Sequence, residues 1–437
     1  MSWTSVNERD SSELATMGEE FKVAKASKKR TGAKAVNSAQ VREVDLQVDE
    51  KLAVDLVMDL LAIPGKSGQE GAVAEFIKQQ LLRAGVPQSA IATDKANSRT
   101  PINGETGNLV LTLPGTIRGP RRMLSAHMDT VPICVGCKPV RTKNLVRSAD
   151  PTTGLGADDR AGVGVILTAA LEIVRRGLPH PPLTFCWFIQ EEIGLQGARL
   201  INKSMLKNPQ YAFNWDGGSP CKLTIGATGG YRLDIDVRGI ASHAGGAPEW
   251  GVSAISIASL AIADLQRNGW HGLIQKGKNL GTSNVGMISG GEATNVVTDY
   301  VQLRAEARSH NPKFRQKIVA EIENAFKLAA KEVKSITGAT GTAEIRGRLD
   351  YEAFKLSENE PCVEIAKTAV NSVGGEVQLA VANGGLDANW LNRHGIPTVS
   401  LGCGQMNQHM VTEFLDLDWY KEACRIGLRV ATATEQT

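Results

Sequence analysis

The segment GADDRAGVGVILTAALEIVRRGLPHPPLTFCWFIQEE, residues 156–192, decides the fold class. Its first part reads as a helix behind a short glycine-containing loop. Its last part, PLTFCWFIQEE, is apolar and rich in β-formers until it meets two glutamates, which predicts a buried strand. Two strand-like runs, GNLVLTLPG and RRMLSAHMD, precede it. Strands alternating with helices predict an α/β fold with a mostly parallel sheet and helices on both faces.

The surrounding chain extends that reading. Upstream, VDEKLAVDLVMDLLAIP has the spacing of an amphipathic helix ended by Pro64, and GQEGAVAEFIKQQLLRAG is a second one closed by Gly85. Near residue 227 the texture changes. YRLDIDVRG, a helix over 251–267, TSNVGMISG, DYVQLRAEARSH, a helix over 312–335 and GTAEIRGRLDY follow one another as βαββαβ, the ferredoxin-like order. The first texture then returns, with a helix over 357–373, the strands EVQLAVA and PTVSLG, and a closing helix from about residue 416. The expected organisation is a catalytic domain in two parts, 44–226 and 345–437, interrupted by an inserted α+β ferredoxin-like lid over 227–344. No internal repeat is found.

The chain's 437 residues are too many for one ordinary core, and 42% apolar with 22% charged residues is the composition of a globular protein. The net charge of +3 gives no reason to expect nucleic acid or an acidic membrane as partner. Residues 1–43 are polar, with Lys22, Lys25, Lys28, Lys29, Arg30 and Lys34 close together, and are expected to be a disordered basic tail. Seven cysteines, and no apolar leader in MSWTSVNERDSS, point to a reducing, cytoplasmic location. The apolar run AGVGVILTAALEIV is shorter than the ~20 residues that span a bilayer.

Five segments carry chemistry. In SAHMDT, His127 and Asp129 are two apart on a strand and point to the same side. A metal-binding imidazole commonly donates its other N–H to a carboxylate, which gives Asp129 a purpose. GLGADDRAG offers Asp158 and Asp159 ahead of a helix, where capping accounts for one of them. FIQEEIGLQGA ends a buried strand with Glu191 and Glu192, at the carboxyl edge where open α/β sheets keep their sites. Like charges there are costly unless a cation is present. FNWDGG adds Asp216, and GCGQMNQHMVTEF adds His409. Carboxylates and imidazoles without thiolates suit a catalytic rather than a structural Zn²⁺ site. Two Zn²⁺ balance Asp158, Glu192, Asp216 and a shared hydroxide, which leaves Glu191 free as a base; metals ~3.5–4 Å apart would activate the shared water.

These motifs, together with SHAGGAPEWGVSAI, GGEATNVV, EARSHN, GGLDANWLN and GIPTVSLG, resemble the dinuclear-zinc metallopeptidases that include peptidase T, aminoacylase and glutamate carboxypeptidase. The likeness runs from about residue 45 onward and is greatest to the peptidase T-like, tripeptide aminopeptidase-like branch. It implies that His127, Asp158 and Asp216 hold one zinc and that Asp158, Glu192 and His409 hold the other, with Asp158 bridging. It also implies Glu191 as general base, Asp129 beneath His127, and a cis peptide between Asp158 and Asp159. In the lid it implies His243 over the substrate as oxyanion donor, with Asn295 and Arg308 on the substrate's terminal carboxylate, a task that suits the planar fork of Arg. Arg304 is the alternative to Arg308 on that face. The likeness further implies two Zn²⁺ per subunit, replaceable by Co²⁺ or Mn²⁺, and a homodimer through the lid.

The expected function is therefore a zinc-dependent exopeptidase acting on short peptides. An N-acyl or carbamoyl amino-acid amidohydrolase on the same centre is the alternative, and a non-catalytic zinc scaffold with a partner-binding tail is a remote one. The sequence leaves open which end of the peptide is attacked. It departs from the pattern at Leu386, where relatives often have Ser or Thr. Cys134 and Cys137 form a C-x-x-C pair that suggests a structural zinc or redox role but cannot close a tetrahedral site alone. His180, His271, His310 and His394 fit no ligand motif.

Overall fold

The computed structural model describes residues 46–433, so the basic tail expected over 1–43 lies outside the described residues. Among the described residues, the main sheet is built around four parallel strands, Leu183–Phe188, Arg122–His127, Tyr211–Trp215 and Thr398–Leu401, side by side in that order. Leu109–Leu113 and Ile91–Thr93 extend one side antiparallel, and Lys222–Ala227 extends the other, flanked by Phe354–Lys355 and Gln378–Ala382. Arg122–His127, Leu183–Phe188 and Tyr211–Trp215 are buried at every position, which is why apolar residues fall on both faces of each strand and their sequences do not alternate.

Helices cover both faces. Glu50–Ala62, Gly71–Arg83, Ala157–Arg176, Pro361–Ser372 and Leu417–Thr432 pack their apolar sides on one, and Gln196–Leu200 and Asp387–Arg393 on the other. Ala157–Arg176 is central to the first layer, and glycines let it come close. A Cβ at Gly164 would meet the Tyr420 hydroxyl at 2.5 Å, and one at Gly162 would meet the Trp215 carbonyl oxygen at 2.5 Å. The Tyr420 hydroxyl in turn donates to the Ala53 carbonyl at 2.9 Å, so three helices are tied at one point.

A second sheet has its own core. Gly272–Lys276, Asn279–Gly290, Tyr300–Ser309, Gly229–Arg238 and Thr342–Tyr351 lie in that order, all antiparallel, with helices Ala254–Arg267 and Pro312–Glu332 on one face. Without the edge strand Gly272–Lys276 this is the ferredoxin-like strand order, and its last strand continues past residue 344 to Tyr351. Ser242–His243 and Val296–Val297 form a separate two-stranded ribbon. A small sheet absent from the sequence reading joins Gln405–Met406, Phe414–Asp416, Leu145–Ser148 and Pro139–Thr142. His409 thus sits in the turn of a hairpin, between Gln405–Met406 and Phe414–Asp416.

Candidate metal centre

The carboxyl ends of the parallel strands converge on one acidic cluster. His127 is the last residue of Arg122–His127, and Glu191 and Glu192 follow Leu183–Phe188. Asp216 follows Tyr211–Trp215, and the hairpin with His409 comes after Thr398–Leu401. His127, Asp158 and Glu192 each offer a donor atom within 4.8 Å of the others, and so do His127, Glu191 and Asp216. His409 Nε2 lies 3.2 Å from Asp158 Oδ2 and 3.0 Å from Glu192 Oε2, while His127 Nε2 lies 3.2 Å from Asp158 Oδ1.

The two aspartates of GADDRAG divide their work. The peptide between them is cis, and both have non-helical backbone angles, so regular helix begins after them. Asp159 is the capping residue: its carboxylate accepts from the Gly162 N–H at 3.0 Å and the His127 N–H at 3.1 Å. Asp158 is left to face the histidines.

Asp129 is fully buried and does more than stand beneath His127. His127 Nδ1 is 3.4 Å from its Oδ1, and the same carboxylate accepts the N–H groups of Glu191 at 2.9 Å and Glu192 at 3.2 Å. One side chain thereby sets the position of the imidazole and of both glutamates.

Charge in this cluster is poorly tolerated. Burial, aided by neighbouring carboxylates, pushes Glu191 well above the usual range, Glu192 to about 7 and Asp216 to about 6. Asp158 moves the other way, because hydrogen bonds from His127 and His409 outweigh its burial. Asp158 and Glu192 hold His409 up at about 10; His127 is raised despite burial by Asp129 and Asp158. Protonated imidazoles thus neutralise part of the acid cluster. Nitrogen and oxygen donors, close spacing and surplus negative charge together fit divalent cations.

Three supporting residues escaped the sequence reading. The Ser67 hydroxyl donates to Asp129 Oδ2 at 2.6 Å, and Gln405 Nε2 donates to Asp216 Oδ1 at 2.8 Å. Glu70 is buried, accepts the N–H groups of Gly68 and Gln190, and leaves Oε2 without a partner. Their only sequence signals are a serine and a glutamate in the glycine-rich PGKSGQE and a glutamine four residues before His409. Asp387 is also buried with both oxygens unpartnered; burial, with Asp216 and Asp129 nearby, pushes it up to about 8.

The residues expected to bind substrate are not part of this cluster. His243 Nδ1 accepts from the N–H groups of Gly245 and Gly246, and Ala244 N–H donates to the Asn295 carbonyl, so His243 and Asn295 are neighbours on the two-stranded ribbon. Arg308 places its fork on Glu306 of its own strand, with both N–H···O distances 2.9 Å. Arg304 pairs with Asp234 at 3.3 Å. Burial pushes the Cys137 thiol up to about 11 and Cys134 higher still, so both stay protonated at neutral pH; among the described residues neither cysteine belongs to a three-donor group or a disulfide.

Comparison with known proteins bears on this geometry. The family model described as Peptidase family M20/M25/M40 matches residues 123–433. The uncharacterized protein YqjE of Bacillus subtilis is 33% identical over 373 residues, which covers 85% of this chain and 95% of that protein. Among solved structures, a tripeptidase from Staphylococcus aureus superposes with a TM-score of 0.79 at 29% identity, covering 88% of this chain and 98% of its own. The aminopeptidase PepT from Bacillus cereus superposes with a TM-score of 0.76 at 31% identity, with the same 88% and 98% coverage.

Proposed function

The chain belongs to peptidase family M20/M25/M40, and from that premise we propose that it is an exopeptidase that hydrolyses short peptides at the cluster around Asp158. Its likeness over nearly the whole length of a tripeptidase and an aminopeptidase supports this reading. The observation that carries it is the convergence of His127, Asp158, Glu191, Glu192, Asp216 and His409, from separate segments, at the carboxyl ends of parallel strands.

We assign His127, Asp158 and Asp216 to one cation and Asp158, Glu192 and His409 to a second, with Zn²⁺ the first choice for both and Co²⁺ or Mn²⁺ able to replace it. Cations held there supply Lewis acidity, which polarises the scissile carbonyl and favours attack by water near neutral pH. Glu191 is the general base: its carboxylate takes a proton from the attacking water and delivers it to the departing amine. The burial that raises its proton affinity suits a group that must hold a proton between those two events. Asp129 keeps the His127 ring oriented and, through the Glu191 N–H, keeps the base in register with it.

The second sheet, with the ribbon beside it, serves as a lid. His243 donates to the carbonyl oxygen where negative charge develops, and Asn295 and Arg308 take the substrate's terminal carboxylate. No described contact joins His243 or Asn295 to the acidic cluster, and in this assignment the substrate lies between them, with closure of the lid bringing them onto it. Arg308 must exchange Glu306 for the substrate, a like-for-like replacement of one carboxylate by another. The strand Asn279–Gly290 runs beyond its partner Gly272–Lys276 and exposes Met287 and Ile288, which supports dimerisation through the lid edge. A cytoplasmic location is in keeping with seven cysteines outside any disulfide, and no described helix is long and apolar enough to cross a membrane.

A panel of di- and tripeptides, their N-acetylated and C-amidated forms, and N-acetyl and N-carbamoyl amino acids tests the reading. Free peptides should be cleaved, and Glu191→Gln should lower kcat by ~10²–10⁴ while metal content is kept. Cleavage of the N-acyl amino acids alone would move the assignment to an amidohydrolase. Undiminished turnover by Glu191→Gln would remove the proposed base.

A further inference from the structure

The hairpin that carries His409 also brings an acidic side chain, Glu413, to the backbone side of the Asp158 loop. Glu413 is buried, and its carboxylate faces the backbone of that loop. Oε2 accepts the N–H groups of Leu155 at 2.9 Å and Gly156 at 2.7 Å, and Oε1 accepts the Asp158 N–H at 3.0 Å. The Cys134 thiol approaches Oε2 at 3.5 Å. A carboxylate can accept at all of its lone pairs, so one that receives three N–H groups from a single turn fixes the direction of that turn. The turn ends at Asp158, whose side chain stands between the two histidines. Glu413 is held in its own loop by its N–H bond to the Met410 carbonyl at 3.0 Å, one residue beyond His409.

We propose that Glu413 is a positioning residue for the cation assigned to Asp158, Glu192 and His409. It couples the Asp158 turn to the His409 hairpin, so that the two donors arrive together, and it need not touch the cation. This rests on the reading that Asp158, Glu192 and His409 bind a divalent cation. It also gives Cys134 a place, as a donor to this carboxylate and not as half of a metal or redox pair.

The test is Zn²⁺ competition between the full-length protein and a chromogenic chelator, read for wild type, Glu413→Gln and Glu192→Gln, with the metal-free melting curve recorded for each. Glu413→Gln keeps the shape but turns an amide N–H₂ toward a backbone N–H. It should weaken the cation assigned to Asp158, Glu192 and His409 by ~10–100-fold, and weaken the other, which shares Asp158 but none of the hairpin's donors, by less, since removing a residue that orients a ligand has that effect. Loss in Glu192→Gln with wild-type affinity in Glu413→Gln would overturn the role of Glu413 and leave the cation reading standing. Wild-type affinity in both would sink the cation reading and this proposal with it. If Glu413→Gln does not fold, Glu413→Asp, which retains the charge one methylene short, should fold and show intermediate affinity; unchanged affinity there overturns the proposal.

Discussion

Asp158 faces His127 and His409 at once: Oδ1 lies 3.2 Å from His127 Nε2 and Oδ2 lies 3.2 Å from His409 Nε2. One imidazole ends a buried parallel strand and the other sits in a hairpin turn far along the chain. A carboxylate with an oxygen toward each is placed to be shared by two cations. Asp158→Asn keeps the volume but replaces one acceptor with a donor and removes the charge. It should lower Zn²⁺ affinity by at least ~10-fold and turnover by ~100-fold or more, with an unchanged far-ultraviolet spectrum. Full affinity in this variant would contradict a bridging role.

Loading the centre should release protons. In the metal-free protein His409 is held up at about 10 and His127 is well above its ordinary value, so both are charged at pH 7, and Glu192, at about 7, is partly protonated. Ligands must lose their protons to bind a cation, so binding at pH 7 should liberate about two protons or more per chain. The sign follows: apparent Zn²⁺ affinity falls as the pH is lowered from 8 to 6. Calorimetric titration in two buffers of different ionisation enthalpy measures the number. A value near zero would mean that the imidazoles are not ligands.

The parts of this site that were legible in the sequence are those that follow an apolar run. His127 ends, and Glu191 and Asp216 follow, strands whose mostly apolar, non-alternating sequences mark them as central, and the period of two was enough to pair Asp129 with His127. The βαββαβ order was legible for the same reason, because alternation and helical spacing each persist there over ten or more residues. Ser67, Gln405 and Glu413 were not legible. Each is polar, lies in a turn or short strand, and acquires its role only from a partner brought near by the fold. The small sheet around His409 escaped because Pro139–Thr142 is mostly exposed and Gln405–Met406 is two residues long, too short for a period to register.

Ser67 can be tested through Asp129. Its hydroxyl makes the shortest of that carboxylate's hydrogen bonds, 2.6 Å, beside those from the N–H groups of Glu191 and Glu192 and the approach of His127 Nδ1 at 3.4 Å. Ser67→Ala removes a bond to a buried charged group, which is worth about 1.5–3 kcal/mol. Urea unfolding of the metal-free protein should show a loss of that order. Turnover should fall by ~10-fold as His127 and Glu191 lose part of their alignment. A stability loss with kcat unchanged would show that Ser67 supports the fold alone.

Glu70 predicts a pH dependence of stability with a defined sign. It is fully buried, and burial with Asp129 nearby pushes it from 4.5 up to about 7. A carboxyl group raised in this way favours the folded state most below its unfolded value, where it is neutral in both states. Its contribution is lost as the pH rises from about 4.5 through about 7, because the folded state resists ionisation more than the unfolded state does. Between pH 5 and pH 8 the loss is on the order of 2–3 kcal/mol. Glu70→Gln keeps an oxygen for the Gly68 and Gln190 N–H groups and cannot ionise. In the metal-free protein, the stability of the variant relative to wild type should therefore rise with pH across that window. Chemical denaturation at several pH values provides the curves, and parallel curves for the two proteins would show that Glu70 ionises as readily in the folded state as in the unfolded one, as it would if water reached its free oxygen.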